Sequence, residues 1–229
     1  PQFRSSAASD VYKRQMFSLQ LKVCYKLMRL GVIDYGASNI HSVVRALQSL
    51  GSKVSIVDTP DKFKTIDKLV FPGQGSMGSC VKKLKETEMF NPLLEAIKSK
   101  PFLGICLGLQ ILFNSSEESR EKGLGVINGS ITKIKDINKE NLKIPHMGWN
   151  NVKIEKQHEL FSGIDDKQFF YFVHSFVAAS TETSITTTYY GEEFVSSLAT
   201  ENIFATQFHP EKSGAVSYTH LTLPTTGIV

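Results

Sequence analysis

Gly104-Ile105-Cys106-Leu107-Gly108 sets a thiol between two glycines, the Gly-x-nucleophile-x-Gly pattern of a side chain held up on a sharp turn. Side chains at the flanking positions of such a turn would clash, which is what the glycines are for. The thiolate is the nucleophilic form of cysteine, and a helix N-terminus just after it favours that form. A thiol nucleophile needs a base, and the base needs an orienting group. Much later the chain reads Ile203-Phe204-Ala205-Thr206-Gln207-Phe208-His209-Pro210-Glu211. Pro210 discourages a helix here. In an extended segment residues two apart share a face, which predicts the Glu211 carboxylate beside the His209 ring. Glu211 would then fix the tautomer and stabilise imidazolium while the other nitrogen meets the thiol. Acyl transfer through Cys106, His209 and Glu211 is the chemistry this trio can do. The plain alternatives are a small buried cysteine and a strand end that happens to carry His-Pro-Glu.

Two other groups compete for attention. Gly73-Gln74-Gly75-Ser76-Met77-Gly78 matches the G-x-G-x-x-G dinucleotide fingerprint between a strand and a helix. It follows the third strand rather than the first, Pro72 precedes it, and Glu95 sits in a helical pattern where a strand-end acid should be. The same glycines suit an oxyanion hole, where backbone N–H groups must come close to a developing negative oxygen. His174, in Tyr171-Phe172-Val173-His174-Ser175-Phe176, is a rival base without a carboxylate near it in sequence, and reads as a pocket wall or core histidine. His41, His146 and His158 lack metal-ligand spacing, so no metal and no cofactor is expected. Cys80 lies in a helical stretch with Val81 and Leu84 and reads as packing.

The elements that must position these residues alternate. Leu30–Asp34, Lys53–Val57, Lys68–Phe71 and Phe102–Ile105 read as strands. Helices are expected at Asn39–Leu50, Ser79–Glu88, Pro92–Ser99 and Leu107–Phe113. That rhythm predicts an α/β fold: a flavodoxin-like, open, mostly parallel sheet with helices on both faces. After Gly123 strand patterns dominate, at Val126–Ile134, Val152–Ile154, Phe169–Ala178, Phe194–Ala199 and Ile203–Phe208. They are expected to add antiparallel strands to the sheet in the C-terminal half.

Both ends read as foreign to this pattern. Residues 1–27 and 214–229 are expected to be non-native or disordered flanks around one domain at 28–213. The 229-residue chain carries a formal net charge of +4, and that excess sits in residues 1–27. No basic stripe remains for nucleic acid. No apolar run reaches the roughly 20 residues of a membrane span, and Val11–Leu30 is broken by Lys13, Arg14, Lys22 and Lys26. Three cysteines, Cys24, Cys80 and Cys106, do not make a disulfide framework and fit a reducing cytoplasm.

Taken together, Pro72-Gly73-Gln74-Gly75, Gly104 through Gln110 and Phe208-His209-Pro210-Glu211 resemble the class I, triad-type glutamine amidotransferases. Pro145-His146-Met147-Gly148-Trp149-Asn150 and Tyr171-Phe172-Val173-His174-Ser175 are similar to the glutaminase subunits of imidazole glycerol phosphate synthases. Asp34-Tyr35-Gly36 with Asn39, and Thr206 through Ser213, point the same way. The likeness runs from Met28 to Ser213. It implies glutamine hydrolysis by Cys106, His209 and Glu211. It puts Gly73 and Gly75 on an oxyanion strand, with Leu107 supplying a further N–H. Gln110, His174 and Ser175 would hold the amino-acid end of glutamine. The implied partner is a (β/α)8-barrel cyclase in a heterodimer of histidine biosynthesis, with Asn39 and Trp149 near the interface. The family usually reads Tyr-Gly-Met-Gly-Asn where this chain has Tyr35-Gly36-Ala37-Ser38-Asn39. Its final amphipathic helix is not recognisable after Ser213. Amidotransferases serving pyridoxal phosphate, GMP or anthranilate synthesis, an oxidoreductase using Gly73–Gly78, and a non-catalytic interaction subunit are the alternatives.

Overall fold

The computed structural model describes residues 28–36, 40–139 and 141–214. The flank assignments, Asn39, and the question of a final helix after Ser213 therefore lie outside the described residues.

Strands β1 (Leu30–Ile33), β2 (Val54–Val57), β3 (Lys68–Phe71) and β4 (Phe102–Ile105) are short apolar runs. Between them come helices α1 (Ile40–Ser49), α2 (Met77–Glu86) and α3 (Phe90–Ile97). A four-residue helix, α4 (Leu107–Gln110), follows β4. The remaining strands are β5 (Phe113–Ser116), β6 (Ile127–Lys133), β7 (His146–Asn151), β8 (Lys153–Ile154), β9 (Phe169–His174), β10 (Phe176–Ala178), β11 (Ser184–Tyr190), β12 (Glu192–Ala199) and β13 (Ile203–Thr206).

The main sheet has eight strands in the order β2-β1-β3-β4-β13-β12-β11-β8. The first five are parallel, and β12, β11 and β8 add to the edge antiparallel. The 2-1-3-4 start is the flavodoxin-like order, with the late strand β13 in fifth place. Strand alternation sorts the core into two layers. Leu69, Phe71, Phe102 and Ala205 pack on one face with Val81 and Leu84 of α2 and Leu93 of α3. Val32, Val70, Leu103 and Phe204 pack on the other with Val43 and Leu47 of α1. At about 1.5–3 kcal/mol for each fully buried large aliphatic or aromatic side chain, these layers rather than helix propensity hold the sheet's helices in place.

Several expectations need correction. The helix expected at Leu107–Phe113 is one turn long, because Phe113 starts β5 and pairs with Ile127. The expected strand Phe169–Ala178 is two strands: it breaks at Ser175, and its halves pair with different partners, β9 with β7 and β10 with β6. Not all the later strands extend the main sheet, since β10-β6-β5 and β7-β9 form small sheets of their own. Strands β7 and β11 were unforeseen because His146-Met147-Gly148-Trp149-Asn150-Asn151 and Ser184-Ile185-Thr186-Thr187-Thr188 lack apolar alternation. In β11 the buried Thr186 hydroxyl meets the hydroxyls of Ser196 and Ser197 instead. Helices α2 and α3 begin two residues earlier than expected. Ser76 caps α2 by accepting from the Ser79 N–H at 3.2 Å, and Pro92 fits the first turn of α3, where its missing N–H costs nothing.

Candidate active site

The nucleophile candidate stands on the turn between β4 and α4. Cys106 has φ 54 and ψ −101, a conformation rare for a residue with a side chain. Backbone crowding forces that shape. A Cβ on Gly108 would lie 2.1 Å from the Phe71 carbonyl oxygen, and one on Gly104 2.4 Å from that of Gly108. The turn can therefore close only with glycine on both sides, and it thrusts the Cys106 sulfur out at the C-terminal end of the sheet. In parallel sheets that edge is where ligands bind.

The base comes from the neighbouring strand. Strands β4 and β13 are parallel partners with Ile105 opposite Thr206, so both chains leave the sheet side by side. His209 follows three residues later. Its ring is buried, with Nδ1 2.9 Å from Glu211 Oε1. The route to this contact differs from the expectation. Pro210–Lys212 is a turn of 3-10 helix rather than an extended segment, and Pro210 starts it rather than preventing it. The turn curls Glu211 back under the ring. Ser213 clamps it: the Tyr171 N–H donates to Ser213 Oγ at 2.9 Å, and that hydroxyl donates to the His209 carbonyl at 2.7 Å.

With Nδ1 committed to Glu211, Nε2 is the nitrogen left for chemistry. It is buried, and the Cys106 sulfur is near enough for its charge and hydrogen bonding to act on the ring. Burial works against a charge on His209. A Cys106 thiolate and the Glu211 carboxylate outweigh it and raise the imidazole to about 10. With a helix of only four residues behind Cys106, the macrodipole is a minor aid. The cationic His209 is the stronger electrostatic support for a thiolate.

Cys106, Leu107, Gly75, Gln110, His174, Ser175 and His209 all line one cavity of about 540 Å³. The loop after β3 brings Gln74 and Gly75 to the same cavity. Gly75 has φ +93 and open space around its Cα. Gly73 does a packing task, since a Cβ there would lie 2.6 Å from Leu107 Cβ. Gly78 packs on Ser119 in the same way, its Cβ position 2.5 Å from that of Ser119. Both glycines fit the loop to its neighbours without any nucleotide.

His174 is a wall, not a base. Its Nδ1 lies 3.1 Å from the Phe176 carbonyl and its Nε2 3.1 Å from His146 Nδ1, so neither nitrogen is left for a substrate. Burial, then the neighbouring His146, pushes it down to about 3, and burial pushes His146 down to about 4, so both rings are neutral near pH 7. Gln110 spends its Nε2 on the Phe176 carbonyl at 3.0 Å and Gln207 Oε1 at 3.1 Å. What it can offer a ligand is Oε1, an acceptor. Glu118 and Lys212 add opposite charges to the cavity lining. The sequence offered no signal for Glu118, Gln207 or the His146 contact, because each depends on strands far apart in the chain.

Outside the cavity, the β7–β9 ribbon pairs Met147 with Val173 and Trp149 with Tyr171. Its outer face is apolar, with Met147 63%, Trp149 55% and Phe169 55% exposed. Val173 and Tyr171 of this ribbon also line the cavity, so the patch runs up to its mouth. No group of His, Cys, Asp and Glu suited to a metal occurs among the described residues, and none of their helices is long and apolar enough to cross a membrane.

A cysteine on a strained turn after β4, a histidine shortly after the adjacent parallel strand and a flavodoxin-like order together fit an amidotransferase-type hydrolase. The chain belongs to the glutamine amidotransferase class-I family, whose model matches residues 31–222. Among curated proteins it is 46% identical over 194 residues to imidazole glycerol phosphate synthase subunit HisH of Methanocaldococcus jannaschii, covering 82% of this chain and 93% of that one. It is 42% identical to HisH of Chromobacterium violaceum over 81% of this chain and 92% of the other. To HisH of Neisseria gonorrhoeae it is 39% identical over 85% and 97%. Among solved structures, a glutamine amidotransferase superposes with TM-score 0.66 at 17% identity, covering 87% of this chain and 99% of that one. PurLQS from Thermotoga maritima superposes with TM-score 0.66 at 20% identity over 86% and 97%. These two likenesses speak for the fold alone.

Proposed function

We propose that this chain is the glutaminase subunit of an imidazole glycerol phosphate synthase, releasing ammonia from glutamine for a cyclase partner in histidine biosynthesis. The observation that carries the chemistry is the convergence of Cys106 and His209 on one cavity, with His209 Nδ1 held by Glu211. The choice of pathway rests on the HisH relatives.

In this reading the Cys106 thiolate attacks the side-chain carbonyl carbon of glutamine. The oxyanion is met by backbone N–H groups near Gly75 and Leu107. His209 gives its proton to the departing nitrogen, releasing ammonia and leaving a thioester on Cys106. It then takes a proton from water, whose oxygen attacks the thioester and frees glutamate. Glu211 holds the imidazole and offsets its charge throughout. Gln110 Oε1 and the His174–Ser175 bend, with Glu118 and Lys212 nearby, suit the zwitterionic end of the amino acid.

The exposed ribbon face suits a docking partner. A (β/α)8-barrel cyclase seated on Met147, Trp149 and Phe169 would close the cavity mouth and keep ammonia from water. Asn39 belongs to the same proposed interface. The setting is the cytoplasm, and neither nucleic acid nor a membrane takes part.

The test is glutamate release from glutamine, with and without the cyclase and its nucleotide ligand, in the full chain and in Cys106→Ala. Release that needs Cys106 and rises with the liganded cyclase supports both parts. Cys106-dependent release indifferent to the cyclase keeps the glutaminase and reopens the pathway. No release from a folded chain with the partner present refutes the enzyme.

A further inference from the structure

Gln207 is fully buried between Cys106 and Gln110, both of which line the cavity, and none of the proposed steps uses it. Its Nε2 donates to Cys106 Sγ at 3.5 Å, and its Oε1 accepts from Gln110 Nε2 at 3.1 Å. A side-chain amide can be turned end for end, so which end meets the sulfur needs an argument. A backbone carbonyl, which can only accept, settles it. The Phe176 oxygen lies 3.0 Å from one end of the Gln110 amide, so that end is the NH2 group. The same NH2 group is the atom nearest Gln207, so Gln207 must turn its oxygen towards Gln110. Its own NH2 is left for the sulfur. The Phe176 carbonyl also lies 3.1 Å from His174 Nδ1, so one oxygen anchors both the amide chain and the wall histidine.

We infer that Gln207 is a positioning residue for the reaction, an N–H donor locked against the Cys106 sulfur by Gln110 and the Phe176 carbonyl, which favours the thiolate before attack. The inference rests on Cys106 being the nucleophile. A donor to an anion forms a stronger hydrogen bond than one to a neutral group. A second polar neighbour of the sulfur, the Val173 carbonyl at 3.9 Å, can serve a thiol but opposes a thiolate. Ionisable groups reach this space from several elements: His209, Glu211 and Lys212 from the turn after β13, His174 and Tyr171 from β9, Glu118 from the segment after β5, and Tyr35 from the segment after β1. Gln207 differs from all of them in having no titratable group, so its donation persists at every pH.

The experiment is alkylation of Cys106 by iodoacetamide in the full chain, followed on its own peptide by mass spectrometry at pH 7 and pH 10. It compares wild type with Gln207→Met and Gln207→Asn. Met keeps the length and removes the donor. Asn keeps an amide but draws it back from the sulfur, and stands in should Met fail to fold. Steady-state kcat and KM for glutamine are measured on the same proteins with the cyclase. Alkylation at pH 7 should fall about 10-fold or more, and return to within about twofold of wild type at pH 10, where thiolate forms unaided. Turnover should fall about 10- to 100-fold in kcat with little change in KM. Wild-type alkylation at pH 7 in the folded variant overturns the inference. So does equal slowing at both pH values, the mark of a merely displaced sulfur. Alkylation needs no glutamine, so the expected pH pattern without glutamate release would sink the glutaminase reading and leave the role of Gln207 standing.

Discussion

The Cys106 N–H donates to the Thr206 carbonyl at 2.7 Å, so the backbone of the candidate nucleophile extends the β4–β13 pairing just before the chain turns to His209, the candidate base. The spacing of Cys106 and His209 thus starts from a parallel β ladder and is completed by the short segment that follows β13. A site built on strands keeps its geometry to a fraction of an ångström.

The triad reading makes a graded prediction. Cys106→Ala should abolish glutamate release while leaving cyclase binding intact by gel filtration. Glu211→Gln should leave a measurable rate, lower in kcat by on the order of 10²–10⁴-fold, because the imidazole loses the group that orients it and offsets its charge. Equal effects of the two substitutions would show that Glu211 does more than orient.

The elbow predicts intolerance to a single methyl group. Gly108→Ala would drive a Cβ to 2.1 Å from the Phe71 carbonyl, which belongs to the sheet and cannot step aside. We expect a loss of about 1–3 kcal/mol or more and a lower melting temperature, with activity lost even where the chain still folds. Gly51→Ala is the control. Nothing lies within 4 Å of a Cβ there, and the strain of its positive φ falls on an exposed helix end far from the cavity.

The paired histidines predict an acid-sensitive fold. His146 is held at about 4 and His174 at about 3, below the ordinary 6.5, chiefly by burial. The unfolded chain takes up these protons as pH drops through 6.5, whereas the folded chain takes them up only near 4 and 3. Stability contributed by the neutral rings is therefore complete above 6.5 and lost as pH falls from there toward 4, at up to about 1.4 kcal/mol per pH unit for each ring. His146→Phe, seated between Tyr190 and Phe172, should make the decline of melting temperature between pH 6.5 and 4 shallower.

The ribbon predicts the partner contact. Trp149 rests edge-on against Tyr171 with ring centroids 6.2 Å apart, and more than half of it is exposed among the described residues. Trp149→Ala should weaken cyclase binding about 30-fold or more, the scale of an aromatic anchor, when measured by calorimetry. The melting temperature of the isolated chain should stay nearly unchanged, as for most surface substitutions.

Much of this site was legible in residue order alone. Two glycines around a cysteine, at a change from strand to helix period, mark an elbow because only glycine survives that turn. The contact of His209 with Glu211 was legible in His209-Pro210-Glu211, though the physical route was misjudged: residues two apart also meet across a 3-10 turn that Pro210 starts. The break at Ser175 was hidden because Phe169–Ala178 is apolar throughout, and periodicity does not say which strand each half will pair with. Helix α4 was overestimated for a similar reason, since Leu107–Phe113 suits a helix locally and only pairing of Phe113 with Ile127 ends it.

By itself the sequence determined the parallel α/β rhythm, and it singled out Cys106, His209 and Glu211 as candidates, because both follow from local steric rules and residue chemistry. The tertiary structure alone decided which groups meet across the sheet. Gln207 meets Cys106 from 101 residues away in the chain, and His174 meets His146 from 28 residues away. Such contacts follow from strand order and register, and those are fixed by how the whole core packs, which no local pattern encodes.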